Sequence, residues 1–204
     1  MNIAVCIKQV PSRDWQPTFE AGATWVRDAD ASFEMNEPDQ YALEAALRLR
    51  EAHGGRVVAC AFGPARVAQV LREALARGAD SGLLVEQDGP TPVDGISTAR
   101  GLAQALVDEK VDLVLTGLQS DDVGLAQTGV MLAGVLGLPH ATIIMDLQIQ
   151  DGIARVKREL EGGWFEWVAM PLPAVVTIQS GINQLRYATL KGIMAAKKKE
   201  IRTV

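Results

Sequence analysis

The sequence has few of the residues that build catalytic or metal sites. Its 204 residues include two cysteines and two histidines, and only 5% are aromatic. Two cysteines cannot form a disulfide framework, and both stand in apolar runs, which favours a reducing compartment. No pair of histidines or cysteines has metal-ligand spacing, and a nucleophile elbow is also lacking. A structural metal site and a serine or cysteine hydrolase are therefore disfavoured.

Long hydrophobic runs are lacking too. No apolar stretch reaches the roughly 18 residues that a membrane-spanning helix needs, and the amino terminus has no basic segment leading into an apolar stretch. We therefore expect no transmembrane segment, no export signal and a cytoplasmic location. The net charge of −5 argues against nucleic acid as a partner. A hydrophobic content of 48% and the chain length suit one compact domain.

Short apolar runs alternate with helical patterns along most of the chain. Strands are predicted at 3–10, 56–62, 83–85 and 111–116, and helices at 36–50, 65–77, 96–107 and 125–136. Loops are predicted at Pro90 and Pro92 and at His140. Asn36 is the expected N-cap of the first helix. Strands that are apolar on both faces predict an α/β fold, a Rossmann-like, mostly parallel sheet between two helical layers. After residue 141 a hairpin turn at Asp151–Gly152 and extended segments to 178 predict antiparallel strands at one edge.

The corner after the first predicted strand lacks a glycine-rich phosphate loop. Lys8-Gln9-Val10-Pro11 stands there instead. A better candidate is residues 116–124, which follow an apolar strand and precede a helix. Gly117 and Gly124 free the backbone to approach a ligand, and residues 127–129 offer the free amides of a helix start, which favour an anion. A bound nucleotide and a plain strand-to-helix loop both explain this segment.

Two features stand outside the core pattern. The first is a set of four tryptophans, Trp15, Trp25, Trp164 and Trp167. They suit either packing or an interface. Residues 186–202 hold six basic residues against Glu200 alone, which indicates either a solvated tail or a surface that docks an acidic partner.

Taken in order, the segments resemble the β subunit of electron transfer flavoprotein over nearly the whole chain. The similarity is carried by VCIKQVP at 5–11, NEPDQYALEAALRL at 36–49, GP at 63–64, ALARGAD at 74–80, RELEGG at 158–163, LPAVVT at 172–177, RYATL at 186–190 and AKKK at 196–199. The resemblance implies an electron carrier and not an enzyme, with an adenine nucleotide α-hydrolase-like fold. It makes residues 1–185 a nucleotide-binding α/β domain and 186–204 a recognition loop and basic segment of the same domain.

The resemblance also implies two cofactors. FAD would be held mainly by an α subunit at the heterodimer interface, and this chain would bury a structural AMP. The AMP contacts carried over from the family are Val10, Pro11, Asn36, Glu37, Pro38, Asp39, Phe62, Gly63, Gly117, Gln119, Ser120, Asp122, Val123, Gly124, Gln127 and Thr128. Residues 123–126 replace a more acidic or amide-rich family segment, which leaves the phosphate to the backbone and to Gln127 and Thr128.

Residues 186–194 match the family's recognition loop, whose leucine, here Leu190, inserts into a pocket on partner dehydrogenases. Arg186, Tyr187, Leu190 and Lys191 are the predicted recognition residues, with Arg186 and Lys191 steering the encounter. The implied partners are the α subunit, acyl-CoA or amine-type flavin dehydrogenases, and electron transfer flavoprotein–quinone oxidoreductase, which feeds the respiratory chain. Relatives usually continue past the position of Val204 into an arm around the α subunit. Two alternatives stay open: an electron-bifurcating relative with a second FAD in place of AMP, and a stand-alone module that binds AMP or ATP.

Overall fold

The computed structural model describes residues 1–23, 26–88 and 93–204. Its strands form one nine-stranded sheet and a separate two-stranded sheet. The strands are β1 (Asn2–Cys6), β2 (Gln9–Pro11), β3 (Phe33–Met35), β4 (Arg56–Gly63), β5 (Ser81–Glu86), β6 (Leu113–Gly117), β7 (His140–Gln150), β8 (Ile153–Glu159), β9 (Phe165–Pro171), β10 (Ala174–Ile178) and β11 (Ile201–Thr203). The helices are α1 (Glu37–His53), α2 (Ala68–Arg77), α3 (Gly95–Leu106), α4 (Thr128–Leu136) and α5 (Leu190–Ala196). None of these described helices is both long and apolar enough to cross a membrane. Trp25 and the predicted loop at Pro90 and Pro92 lie outside the described residues.

The large sheet has the strand order β11-β5-β4-β1-β6-β10-β7-β8-β9. The strands from β11 to β7 are parallel, whereas β8 and β9 run antiparallel at one edge. One face packs against α1 and α2, and the other against α3 and α4. The predicted α/β fold, with a mostly parallel sheet and an antiparallel edge hairpin, is confirmed.

Each central strand has apolar side chains on both faces because helices cover both faces. In β1, Ile3 and Val5 belong to the cluster beneath α1 and α2, whereas Ala4 and Cys6 belong to the cluster beneath α3 and α4. Cys6 pairs in register with Cys60, and both are buried, as the sequence predicts. Burial raises the pKa of the Cys6 thiol to about 12, so this thiol stays protonated and unreactive.

Three predictions about the strands are wrong. The predicted strand 3–10 is divided, because β1 ends at Cys6 and Gln9–Pro11 pairs with β3 in the small sheet. Residues 174–178 are not an edge strand but β10, which lies between β6 and β7 and runs parallel to both. All five of its residues are buried, as an interior position requires. His140 begins β7, where a loop is expected.

The carboxyl-terminal segment is part of the fold. β11 pairs with β5 at the sheet edge, and the Lys199 ammonium donates to the carbonyl oxygens of Ala79 and Leu75. Arg202 makes an ion pair with Glu109 at 2.6 Å. The alternative of a solvated tail is therefore wrong for residues 199–203.

Candidate nucleotide site and recognition segment

The direction of strand succession reverses at β1. The chain passes from β1 through α1 to β4 on one side, whereas β6 pairs with the other side of β1. In open parallel sheets, ligands bind in the crevice beyond the carboxyl ends of the strands at such a reversal. The crevice here is bounded by the residues after β1, the residues after β6 and the first turn of α1.

Asp39 joins the carboxyl ends of β1 and β6 from the first turn of α1. Its Oδ2 accepts from the Lys8 amide at 2.8 Å, and its Oδ1 accepts from the Gly117 amide at 2.7 Å. Burial raises the pKa of this carboxyl to about 6, against the two backbone hydrogen bonds, which lower it. A Cβ on Gly117 would stand 2.6 Å from the Cβ of Pro38. Gly117, expected to admit a ligand, thus makes room for α1.

Asn36 ties α1 to the loop after β6. Its Nδ2 donates to the Gln119 carbonyl at 3.0 Å, and its Oδ1 accepts from the Asp121 amide at 2.9 Å. Asn36 does precede α1, but its side chain makes no capping hydrogen bond. The expected cap is wrong in this respect, because the partners of this buried amide come from a distant loop.

Two cationic side chains also contact the loop after β6. The Lys8 ammonium lies 2.6 Å from Asp122 Oδ1 and 3.1 Å from Ser120 Oγ. Arg13 pairs with Glu37, and its Nη2 lies 3.7 Å from Asp121 Oδ2. Three carboxylates beside the crevice, those of Glu37, Asp121 and Asp122, therefore already have cationic partners within the chain.

The amino end of α4 faces the crevice from β6. Gln127 is its N-cap residue and makes no side-chain capping hydrogen bond. A Cβ on Gly129 would stand 2.7 Å from Thr116 Oγ1 and 2.6 Å from Thr177 Cγ2, so glycine lets α4 lie close against β6 and β10. The amides of a first helical turn have no intrahelical acceptors, and the helix dipole adds positive potential. This donor set fits a phosphate group.

The structure brings most of the predicted contacts to this crevice. Residues 36–39 contact the loop that runs from 117 to 124, and β2 pairs Val10 and Pro11 with Glu34 and Phe33 of β3, the strand that precedes α1. Phe62 is different, because it packs against Gly101 of α3 on the other face of the sheet. Sequence reasoning missed Arg13 and Asp121. The paired acids after β6 were the available signal for Asp121, whereas no local signal exists for Arg13.

A shallow depression of about 430 Å³ lies elsewhere, lined by residues that include Met1, His53, Asp112 and Leu172. Asp112 and the amino terminus mark the opposite end of the parallel strands, where Asp112 Oδ2 accepts from the Asn2 amide at 2.7 Å. Because ligands of open parallel sheets bind beyond the carboxyl ends of the strands, the crevice is the better candidate site.

The predicted recognition residues include two highly exposed side chains, Tyr187 at 89% and Leu190 at 84%. The expected loop becomes helical at Leu190, where α5 begins, and Thr189 Oγ1 caps it by accepting from the Gly192 amide at 3.0 Å. Arg186 is held by Glu44 and Glu51. The expected steering charge is thus compensated by two carboxylates.

Comparison with known proteins identifies the family. Residues 24–204 match the profile described as the electron transfer flavoprotein domain. The chain is 38% identical over 208 residues to electron transfer flavoprotein subunit beta of Methylophilus methylotrophus, which covers 100% of this chain and 79% of the relative. It is 39% identical to the mitochondrial subunit beta of Oryza sativa subsp. indica, with 100% and 81% covered. It is 35% identical to the Bacillus subtilis subunit beta, with 98% and 77% covered.

The chain belongs to the electron transfer flavoprotein β-subunit family. The resemblance noted from the sequence is thereby confirmed. Membership in the electron transfer flavoprotein family supports a role in electron transfer and an association with flavin. The name of the β subunit implies an α-subunit partner.

Proposed function

We propose that this chain is the β subunit of a heterodimeric electron transfer flavoprotein. The match of residues 24–204 to the family, together with relatives that cover the whole chain, is the observation that carries the proposal. FAD, when bound mainly by the α subunit at the interface, supplies the redox chemistry. The complex accepts electrons from flavin dehydrogenases and delivers them to a quinone oxidoreductase of the respiratory chain.

AMP occupies the crevice in this proposal. The first turn of α4, with Gln127 and Thr128, holds the phosphate through its amides and side chains. Residues 36–39, fixed by Asn36 and Asp39, form the wall on the other side. Lys8 and Arg13 compensate the nearby carboxylates, which reduces their repulsion of an anion.

The antiparallel extension β7–β9 offers a surface for the α subunit. Trp164, Phe165 and Trp167 are all exposed there, and Trp164 is 74% exposed. Arg155 lies 4.5 Å from the Trp167 ring centre, and Lys157 lies 4.1 Å from that of Phe165. Aromatic and arginine side chains are enriched in protein interfaces, and exposed apolar patches mark such sites.

Leu190 is the apolar anchor for partner dehydrogenases in this proposal. Ile193 and Met194, also exposed, follow it on α5 and extend the apolar surface. Lys191 is exposed beside it and supplies positive charge for the encounter. One apolar anchor with a nearby cation suits the weak, rapidly exchanging contacts that an electron carrier needs.

Co-expression with an α subunit of the same family tests the proposal. We expect a yellow heterodimer, with one FAD and one AMP released per complex when absorbance and mass spectrometry are combined. Two FAD molecules per heterodimer would support the bifurcating alternative. A colourless monomer that binds AMP or ATP would support the stand-alone module. A chain that neither pairs with an α subunit nor releases a nucleotide would overturn the proposal.

A matched pair of variants tests the recognition role. Leu190→Ala is expected to slow electron transfer from the dehydrogenase by about tenfold or more, as loss of a central apolar anchor does. FAD and AMP contents should stay unchanged, because Leu190 lies outside the crevice. Val107→Ala is the control, since Val107 is a similarly exposed side chain next to α3. Equal rates for the two variants would remove Leu190 from the mechanism.

A further inference from the structure

The segment before the exposed tip is fastened to α1 by side chains at three successive points. Asn183 Nδ2 donates to the Tyr41 carbonyl at 3.0 Å. Arg48 Nη2 donates to the Gln184 carbonyl at 2.8 Å. The third attachment is made by Arg186, which donates charged hydrogen bonds to Glu44 and Glu51. Residues 183–186 therefore run along the middle of α1.

The guanidinium of Arg186 makes two forked contacts. Its Nε and Nη2 donate to Glu44 at 2.7 and 3.2 Å. Its Nη1 and Nη2 donate to Glu51 at 2.6 and 3.1 Å. This planar fork fixes direction as well as distance, which a lysine ammonium cannot do.

Glu44 is the buried half of this cluster. Its residue is 4% exposed, and its Oε1 also accepts from Arg48 Nε at 2.7 Å. Burial would raise the pKa of Glu44, but hydrogen bonds from Arg186 and Arg48 outweigh burial and hold the pKa below its ordinary value. The carboxylate is therefore ionised throughout the neutral range, and it keeps Arg186 in place.

Tyr187 and Leu190 lack such support of their own. Their side chains project almost fully into solvent, so packing does not fix them. The fixed points on either side are the Arg186 cluster and α5, whose Gly192 lies against the backbone of Ala76 in α2. The direction in which the tip points depends on these two anchors.

We propose that Arg186 is a positioning residue, which presents Tyr187 and Leu190 in a fixed orientation and does not steer the partner by its charge. This inference rests on the proposed recognition role of Leu190. A tip that is ordered before contact loses less conformational entropy on binding, which strengthens a small interface. Glu44 and Glu51 balance the charges of Arg186 and Arg48, so the cluster as a whole adds no net positive field. Lys191 is the steering residue, since in the described part of the chain it has no ion pair.

The rate of electron transfer as a function of salt separates positioning from steering. The assay uses the intact heterodimer and a partner dehydrogenase. For Arg186→Lys, which keeps the charge but loses the fork, we expect kcat/KM to fall about tenfold with the salt dependence unchanged. For Lys191→Gln, we expect a smaller fall at low salt and a shallower salt dependence. Wild-type rates for Arg186→Lys, which keeps the charge, would overturn the positioning role.

Hydrogen exchange of residues 187–189 in the heterodimer gives a readout that needs no partner. Arg186→Gln and Arg186→Lys should both speed exchange there, while the amides of β1 and β6 stay protected. The Lys variant keeps the test valid if Arg186→Gln does not fold. If exchange is unchanged while Leu190→Ala slows electron transfer, the positioning role is overturned and the proposed function stands. If exchange rises but neither Arg186→Lys nor Leu190→Ala alters the rate, both the inference and the recognition role are overturned.

Discussion

Two buried carboxylates on the same helix are held in opposite ways. Asp39 and Glu44 lie five positions apart on α1, and their residues are 5% and 4% exposed. Asp39 accepts from two backbone amides, and burial raises its pKa to about 6. Glu44 accepts from two arginines, and its pKa lies below the ordinary value despite burial. Neutral donors compensate a buried charge less completely than cations do.

The difference separates two attachments of α1. The amino-terminal attachment brings together β1, β6 and the crevice through backbone groups and close packing at Gly117. The attachment in the middle of α1 fastens residues 183–186 through ion pairs. We therefore expect the first to be sensitive to side-chain size and to the ionisation of Asp39 as pH rises through about 6, and the second to loss of a charge.

The largest effect is expected from a change of size at the amino-terminal attachment. Gly117→Ala places a Cβ against the backbone and side chain of Asp39 and 2.6 Å from Pro38 Cβ. Backbone cannot yield as the end of a flexible side chain can, so we expect a loss of at least about 3 kcal/mol in the free energy of unfolding. Chemical denaturation measures it.

Gly134→Ala in α4 is the matched control. A Cβ there would meet nothing within 4 Å, so alanine should leave stability unchanged or raise it by up to about 1 kcal/mol. Equal effects of the two substitutions would contradict the close approach of α1 to Gly117.

The next effect concerns the charge in the middle of α1. Glu44→Gln leaves Arg186 and Arg48 without their buried anion, and we expect a loss of about 2 kcal/mol. Glu51→Gln removes an anion whose side chain is 51% exposed, and we expect at most about 1 kcal/mol. Thermal or chemical unfolding of both variants measures the contrast. A larger cost at Glu51 than at Glu44 would contradict the burial argument.

Patterns in the sequence predicted α1 itself well. Pro38 in the first turn and apolar residues at helical spacing mark it, and four of these apolar residues, Ala42, Leu43, Ala46 and Leu47, are buried. Local patterns could not give the partners of its polar residues. Asp39 and Asn36 look like capping groups in the sequence, but their partners are distant in the chain. Asn36 contacts the loop after β6, and Asp39 accepts from the amides of Lys8 and Gly117 at the ends of β1 and β6. Long-range contacts outweigh a local capping preference here.

Composition could not predict the ion pairs of Arg186 for the same reason. The segment 186–202 is basic in composition, but Glu44 lies 142 residues from Arg186 and neutralises it. The place of β10 in the sheet could not be predicted from its own sequence either, because an apolar run such as Ala174–Ile178 suits any buried strand. The order of strands in the sheet decides its place, and that order depends on the chain as a whole.

The smallest effect is a dependence of stability on pH, and it follows from Asp39. Its pKa is about 6 in the folded chain against an ordinary value of 3.8, so the folded state binds more protons than the unfolded state between these values. Stability from this group is therefore present at low pH and is lost as pH rises through about 6. Between pH 5 and 7 we expect a loss of about 1 kcal/mol.

Asp39→Asn isolates this contribution. The variant is less stable overall, because an amide cannot accept from both the Lys8 and Gly117 amides. Its disadvantage relative to the wild type should shrink by about 1 kcal/mol between pH 5 and 7, since only the wild type ionises at residue 39. Glu44→Gln should show no such change over this range, because Glu44 stays ionised. A constant difference for Asp39→Asn would mean that the backbone amides compensate the buried charge as fully as the arginines do for Glu44.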